Sequence, residues 1–172
     1  MKIIPTLTFT YSLLPVLTRQ LKCKLAYYLF IELLFFQGVK QMLLGASLIT
    51  VSALLVYFVT IINVGRARAK YKVMPPAMTG DENFERALRV QQNMLEQLVL
   101  FLPIMWIFSY YVSELWGAII GGVWILGRVL YAWGYYQEAK KRMVGFGISS
   151  LSIMALLLTC LYSLTMALVG SF

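Results

Sequence analysis

Arg89, Asn93 and Glu96 are the residues whose types and spacing point to chemistry, because they form a polar strip leading into a continuously apolar stretch of chain. A helix turns about 100° per residue, so with Arg89 at zero, Arg86 lies near 60°, Asn93 near 40° and Glu96 near 340°, all on one face. Charge within a membrane-spanning helix is expensive to desolvate and usually marks a working site. A second strip has the same spacing: measured from Tyr131 at about 100° per residue, Arg128 falls near 60°, Tyr135 near 40°, Glu138 near 340° and Arg142 near 20°, provided one helix carries them all. Two such stripes facing one another would line a pocket. Arg68, Arg89 and Arg142 would offer positive charge to carboxylates or a thiolate, Glu96 a partner for an ammonium, and Asn93 and the tyrosine hydroxyls directed hydrogen bonds. The complement is a small, zwitterionic, acid-rich ligand beside an apolar wall, and spacing alone does not identify it.

Plainer roles compete for several of these residues. Polar side chains in a membrane also bond helices to one another, and tyrosines near a membrane end form an interfacial belt. Arg128 reads as a structural cation that needs a partner such as Glu96, and Glu138 as a solvated i, i+4 partner of Arg142. Lys140 and Lys141 read as topology and head-group residues. Gly117 and Gly121 make a GxxxG pair, a weak signal of close helix approach.

The elements that must position these residues are membrane helices. The chain has 172 residues, 60% hydrophobic and only 13% charged, with a mean hydropathy of +0.77. That is too apolar for a soluble domain and predicts an all-α integral membrane protein. Four segments reach the roughly 20 residues a helical span requires: 42–64, a second starting near 84 and wholly apolar over 98–112, 115–136 and 146–169. Pro75-Pro76 and Thr79-Gly80 forbid a continuous helix across 66–83, after which Asp81 or Asn83 suits an N-cap. The net charge of +8 does not indicate a nucleic-acid partner, because the basic residues gather at the ends of apolar segments. Arg66, Arg68, Lys70 and Lys72 occupy the first loop and Lys140, Lys141 and Arg142 the third turn, which directs both to the cytoplasm. The absence of histidine removes the commonest general base and metal ligand, so no metal is expected. Cys23 and Cys160 do not form a disulfide framework. Residues 1–41 fit the scheme poorly, since Pro5 and Pro15 interrupt them and 25–36 is too short to span and contains Glu32. They read as an N-terminal extension to a membrane domain over 42–172, with Met42 an alternative start.

The runs RAKYKVMPP (68–76), Thr79-Gly80, Phe84-Glu85-Arg86, RVQQN (89–93) with Glu96, and RVLYAWGYYQEAKKRMVGFG (128–147) resemble the membrane-associated eicosanoid and glutathione metabolism (MAPEG) family. Within it the chain is most similar to the microsomal glutathione transferases of the second type. The resemblance covers about 42–172. It implies a four-helix transmembrane bundle assembled as a homotrimer, with glutathione bound as co-substrate between protomers near the cytoplasmic side. Carried over by position, Arg68, Arg89, Gln91, Asn93, Glu96, Tyr131 and Tyr135 would bind glutathione, and Arg142 would lie at its sulfur and stabilise the thiolate. The implied activity is conjugation of glutathione to lipophilic electrophiles, with peroxidase activity toward lipid hydroperoxides, in an endoplasmic-reticulum-type or bacterial inner membrane. The alternatives are conjugation to an epoxide, as in the leukotriene C synthase branch, or a non-catalytic lipid-binding partner protein. Two positions depart from the family pattern: Gln97 stands where those branches have an aromatic residue, and Ala69 where the leukotriene C synthase branch has a second arginine.

Overall fold

The computed structural model describes residues 43–171. The expectations for residues 1–41, and for Met42 as a start, lie outside the described residues. Among the described residues there are four long helices: α1 (Leu44–Tyr71), α2 (Glu82–Tyr111), α3 (Glu114–Gln137) and α4 (Met143–Val169). A 3-10 turn, Ala139–Arg142, joins the last two. Each helix is long and apolar enough to cross a membrane.

The helices begin and end where backbone chemistry directs. Asp81 caps α2 by accepting a hydrogen bond from the Asn83 N–H at 2.8 Å, and Glu85 accepts from the Gly80 N–H at 2.9 Å. Both carboxylates satisfy donors that a helix start leaves unpaired, at the positive end of the helix dipole. One boundary differs from the sequence reading: α1 runs through Arg66, Arg68 and Lys70 to Tyr71, so the loop is shorter than 66–83. Arg, Ala and Lys are strong helix formers, and the chain leaves the helix only at Lys72, whose φ of 55° is left-handed, ahead of Pro75-Pro76.

Packing separates buried from outward faces. The fully buried residues of α1 are Ala46, Ala53, Thr60 and Ala67, a narrow seam of small side chains seven residues apart. Its large apolar residues, such as Leu48, Leu55 and Phe58, point outward, as suits a helix whose surroundings are themselves apolar. Met94, Leu98, Phe101, Met105 and Phe108 of α2 form the main core with Trp124 of α3 and Ile153 and Leu156 of α4. Phe101 stacks on Trp124 with centroids 3.8 Å apart. Cross-links between helices tie the far end: the Gly45 N–H donates to Glu114 Oε1 at 2.6 Å, and Trp106 Nε1 donates to Thr50 Oγ1 at 3.0 Å.

The contacts of α3 with α4 and with the turn before it are backbone to backbone and depend on missing side chains. A Cβ on Gly145 would approach the Gly127 carbonyl oxygen to 2.6 Å, and one on Gly134 would meet the Lys141 carbonyl oxygen at 2.6 Å. Small residues of this kind let membrane helices approach backbone to backbone. Gly121 of the GxxxG pair instead leaves room for the Ile49 side chain of α1. Gly145→Ala is therefore expected to destabilise the bundle by about 1–3 kcal/mol or more, since the obstacle is backbone rather than a movable side chain. Gly147→Ala, with open space around it, should not. Unfolding in detergent followed by circular dichroism compares the two, and equal stability would refute the role assigned to the seam.

Candidate functional site

Between α2 and α3, at the end of the bundle where the 3-10 turn crosses, lies a cavity of about 170 Å³. From α2 it is lined by Arg89, Gln92, Asn93 and Glu96, from α3 by Tyr131 and Tyr135, and from the turn by Arg142. Arg89, Glu96 and Arg142 are exposed at its mouth, whereas Tyr131 and Tyr135 are buried.

A chain of contacts organises the cavity from its floor outward. Arg128 is 1% exposed, a nearly complete burial of a permanent cation. Its Nη2 donates to Asn93 Oδ1 at 3.1 Å, its Nε points at Met94 Sδ at 3.3 Å, and its guanidinium lies 4.3 Å from the Tyr131 ring centroid. Nη1 has no hydrogen-bond partner among the described residues. Because Arg128 takes the amide oxygen of Asn93, the Asn93 Nδ2 is turned outward, where it donates to Glu96 Oε2 at 3.2 Å. On the other wall Tyr131 and Tyr135 stack with centroids 5.8 Å apart, and the Arg142 guanidinium lies 5.0 Å from the Tyr135 ring. Each tyrosine ring thus receives a cation on a face, a contact stronger where water is excluded.

Three expectations change. The partner of Arg128 is Asn93 and not Glu96: the amide reaches the buried guanidinium, which leaves the carboxylate at the solvated mouth. Glu138 does not pair with Arg142, because α3 ends at Gln137 and Glu138 is extended at φ −155°. Glu138 instead approaches Lys141 at 3.9 Å, and the turn folds back over the last turn of α3 to bring Arg142 to Tyr135. Arg86, on the same helical face as Arg89, is drawn away by Glu82 and by the Gln137 carbonyl oxygen at 3.2 Å.

Of the residues singled out in the sequence, Arg89, Asn93, Glu96, Tyr131, Tyr135 and Arg142 share the cavity, while Arg68 and Gln91 do not line it. Arg68 donates to the Val73 and Ala77 carbonyl oxygens at 3.2 and 2.9 Å and lies over the Phe84 ring, bracing the loop after α1. Gln91 faces α1, where its Nε2 donates to the Tyr57 hydroxyl at 3.0 Å. Gln92 lines the cavity unforeseen, and its i+3 spacing from Arg89 was the available signal. Gln97 is half-buried with its amide oxygen unpartnered among the described residues. The arrangement places two exposed cations, one carboxylate and directed hydrogen-bonding groups around a volume suited to a small, multiply charged ligand.

Comparison with known proteins gives this geometry a context. The chain matches the MAPEG family profile over residues 46–162. It is 60% identical over 125 residues to an uncharacterized protein of Synechocystis sp., covering 73% of this chain and 91% of that one. It is 48% identical over 96 residues to microsomal glutathione S-transferase 2 of Homo sapiens, covering 56% of this chain but 65% of the relative. It is 36% identical over 96 residues to leukotriene C4 synthase of Cavia porcellus, covering 56% of this chain and 64% of that protein. The profile match takes in all of α2, α3 and the intervening turn residues that line the cavity, and the chain belongs to the MAPEG family.

Proposed function

We propose that the protein is a membrane glutathione transferase that binds glutathione in the cavity between α2 and α3 and holds it as the thiolate. The observation that carries this reading is the joint lining of one cavity by Arg89, Asn93, Glu96, Tyr131, Tyr135 and Arg142. Glutathione has two carboxylates, an ammonium and a thiol. Arg89 suits a carboxylate, Glu96 the ammonium, and Asn93 and the tyrosine hydroxyls the peptide groups. Similarity to a transferase and to a synthase within one family supports the same assignment.

Arg142 is the residue assigned to activation. A free thiol has a pKa of about 8.5, so only a few per cent is thiolate near neutrality, and an adjacent cation lowers that pKa by about 1–3 units. Arginine suits the task because it stays protonated at any working pH. The bound thiolate attacks an electrophilic carbon, forming the C–S bond as the leaving group departs. With a lipid hydroperoxide it attacks the outer oxygen instead, and a second glutathione completes reduction to the alcohol, water and glutathione disulfide. The apolar outer faces of the helices give membrane-dissolved substrates a path to the site, and holding both reactants together supplies proximity.

Assembly as a homotrimer belongs to the same proposal. Arg68 and Gln91 lie away from the cavity within one chain, so they reach glutathione only in a neighbouring protomer's site. The basic ends of the helices face the cytoplasm, in an endoplasmic-reticulum-type membrane or a bacterial inner membrane. Ala69, in place of a second arginine, favours general conjugation, and a detoxifying role, over epoxide-specific leukotriene synthesis.

Turnover of an aromatic halide with glutathione is the direct test, and glutathione binding without turnover would favour a non-catalytic lipid-binding protein. Arg142→Ala is expected to keep glutathione binding while losing most of the thiolate absorbance and about tenfold to thirtyfold in rate near neutral pH, because the free thiol is still a few per cent thiolate there. An unchanged thiolate signal would remove Arg142 from the mechanism. Arg128→Met separates a positioning role from a packing one. It should leave the bundle as stable or more so, because an apolar side chain replaces a buried charge. Losing the hold on Asn93 should raise the KM for glutathione about tenfold or more with the thiolate signal at saturation retained. An unchanged KM would show that Asn93 orients without it.

A further inference from the structure

A second concavity, of about 350 Å³, opens at the same end of the bundle, away from the cavity described above. Asn63, Arg66, Lys70 and Tyr71 of α1 line it, with Asn83 of α2 and Tyr136 of α3. At about 100° per residue, Asn63, Arg66 and Lys70 share one stripe of α1, so their side chains project together. Ala67 and Ala87, both small and buried, leave the room between helices that makes it a groove.

Its positive charge is not neutralised within the groove, where Lys70 Nζ lies 5.1 Å from the Tyr71 ring centroid. No lining residue is acidic. Arg66 and Lys70 are like charges at i, i+4, a spacing that disfavours the helix unless something relieves it. Among the described residues neither forms an ion pair: the bridges there join Arg86 to Glu82 and Lys141 to Glu138. The acidic groups near the start of α2 are already engaged, Asp81 by the Asn83 N–H, Glu82 by Arg86 and Glu85 by the Gly80 N–H. The other basic residues of this segment have structural tasks, Arg68 on loop carbonyls and Lys72 at the left-handed helix end. Beneath the two cations Asn63 Nδ2 donates to the Tyr136 hydroxyl at 3.3 Å, which gives the groove a polar floor at the margin of the apolar span.

The surroundings select the source of the anion. One turn from Asn63 toward the middle of the span, α1 exposes Val59 (54%) and then Leu55, and on α3 Trp133 (64%) stands one turn before Tyr136. A cationic, hydrogen-bonding recess above an apolar surface with an interfacial tryptophan matches a phosphate head group with acyl chains attached. We propose that this groove is a binding site for the phosphate head group of an anionic phospholipid, held by Arg66 and Lys70 with Asn63, Asn83 and Tyr136 as hydrogen-bonding partners. The site is separate from the glutathione reading and stands or falls independently of it.

The test compares the full chain in nanodiscs of phosphatidylcholine alone and with phosphatidylglycerol, with the lipid retained after transfer to detergent counted by native mass spectrometry. The wild type should retain phosphatidylglycerol selectively and unfold at a higher temperature in its presence. Arg66→Gln with Lys70→Gln should weaken that retention roughly tenfold or more, two charges near the membrane surface each contributing a several-fold preference. The single variants should show smaller losses and provide the readout if the double variant cannot be purified. Lys140→Gln with Lys141→Gln, which removes the same charge outside the groove, should lower retention by clearly less. Equal loss in both double variants would mean unspecific surface attraction and overturn the site. Protection by soluble glycerol phosphate as strong as that by phosphatidylglycerol would mean a free phosphoester site and overturn the lipid assignment. Retention unaffected by the Arg66 and Lys70 changes would also overturn it.

Discussion

The buried guanidinium of Arg128 is the constraint around which the polar end of this bundle is arranged. A cation sealed from water inside an apolar helix bundle is tolerable only where neighbouring dipoles and π faces replace its hydration. Here the replacements are Asn93 Oδ1, Met94 Sδ and the Tyr131 ring, two from α2 and one from α3 itself. Satisfying one charge therefore fixes the amide of Asn93, the plane of Tyr131 and the register of α2 against α3. Asn93 then passes the constraint on, since with its oxygen held toward Arg128 its Nδ2 is the side of the amide turned to Glu96. A polar floor that cannot rotate is what gives a small cavity in a membrane protein a defined set of donors and acceptors.

The other wall is set by absence of side chains. Gly134 and Gly145 allow the backbone of α3 to meet that of the turn and of α4, so the five residues after Gln137 double back across the end of α3 instead of projecting from it. Arg142 reaches Tyr135 by this route. A charged group on a tight turn that is clamped between two backbones is held more firmly than one on a free helix end. Under the proposed function that backbone placement suits Arg142 to hold negative charge at one point, because preorganised charges need no reorganisation during the reaction. The bundle thus keeps its two walls by different means, a buried ion on one side and close backbone contact on the other. The cations of the basic end are placed differently: Arg142 and Arg89 face the cavity, Arg68 braces a loop, and Arg66 with Lys70 lines a separate groove.

Much of the architecture was legible in the chain because hydropathy and turn residues act locally. Four apolar runs of spanning length, the break at Pro75-Pro76, and a cap at Asp81 or Asn83, of which the structure takes Asp81, follow from solvation and backbone chemistry that involve few distant contacts. Helical rotation likewise put Arg89, Asn93 and Glu96 on one face, and Tyr131 and Tyr135 on another, with no knowledge of how the helices pack. The same rule failed for Arg142 and Glu138, since it presumed a helix that ends at Gln137. It also treated Arg86 as equivalent to Arg89, although a carboxylate one turn away captures it.

By itself, then, the sequence determined four apolar runs of membrane-spanning length and their polar stripes, consequences of side-chain type at a known period, while the binding roles of Arg68 and Gln91 and the role of Arg142 came only from resemblance to a family. Only the tertiary structure decided which stripe residues meet. It paired Arg128 with Asn93 rather than Glu96, turned Gln91 and Arg68 away from the cavity, and brought Arg142 over Tyr135. The physical reason is that the partner of a buried charge and the path of a turn depend on which groups lie within about 3–5 Å in space. Helical periodicity describes a face of one element, and it holds no information about the distance to the next.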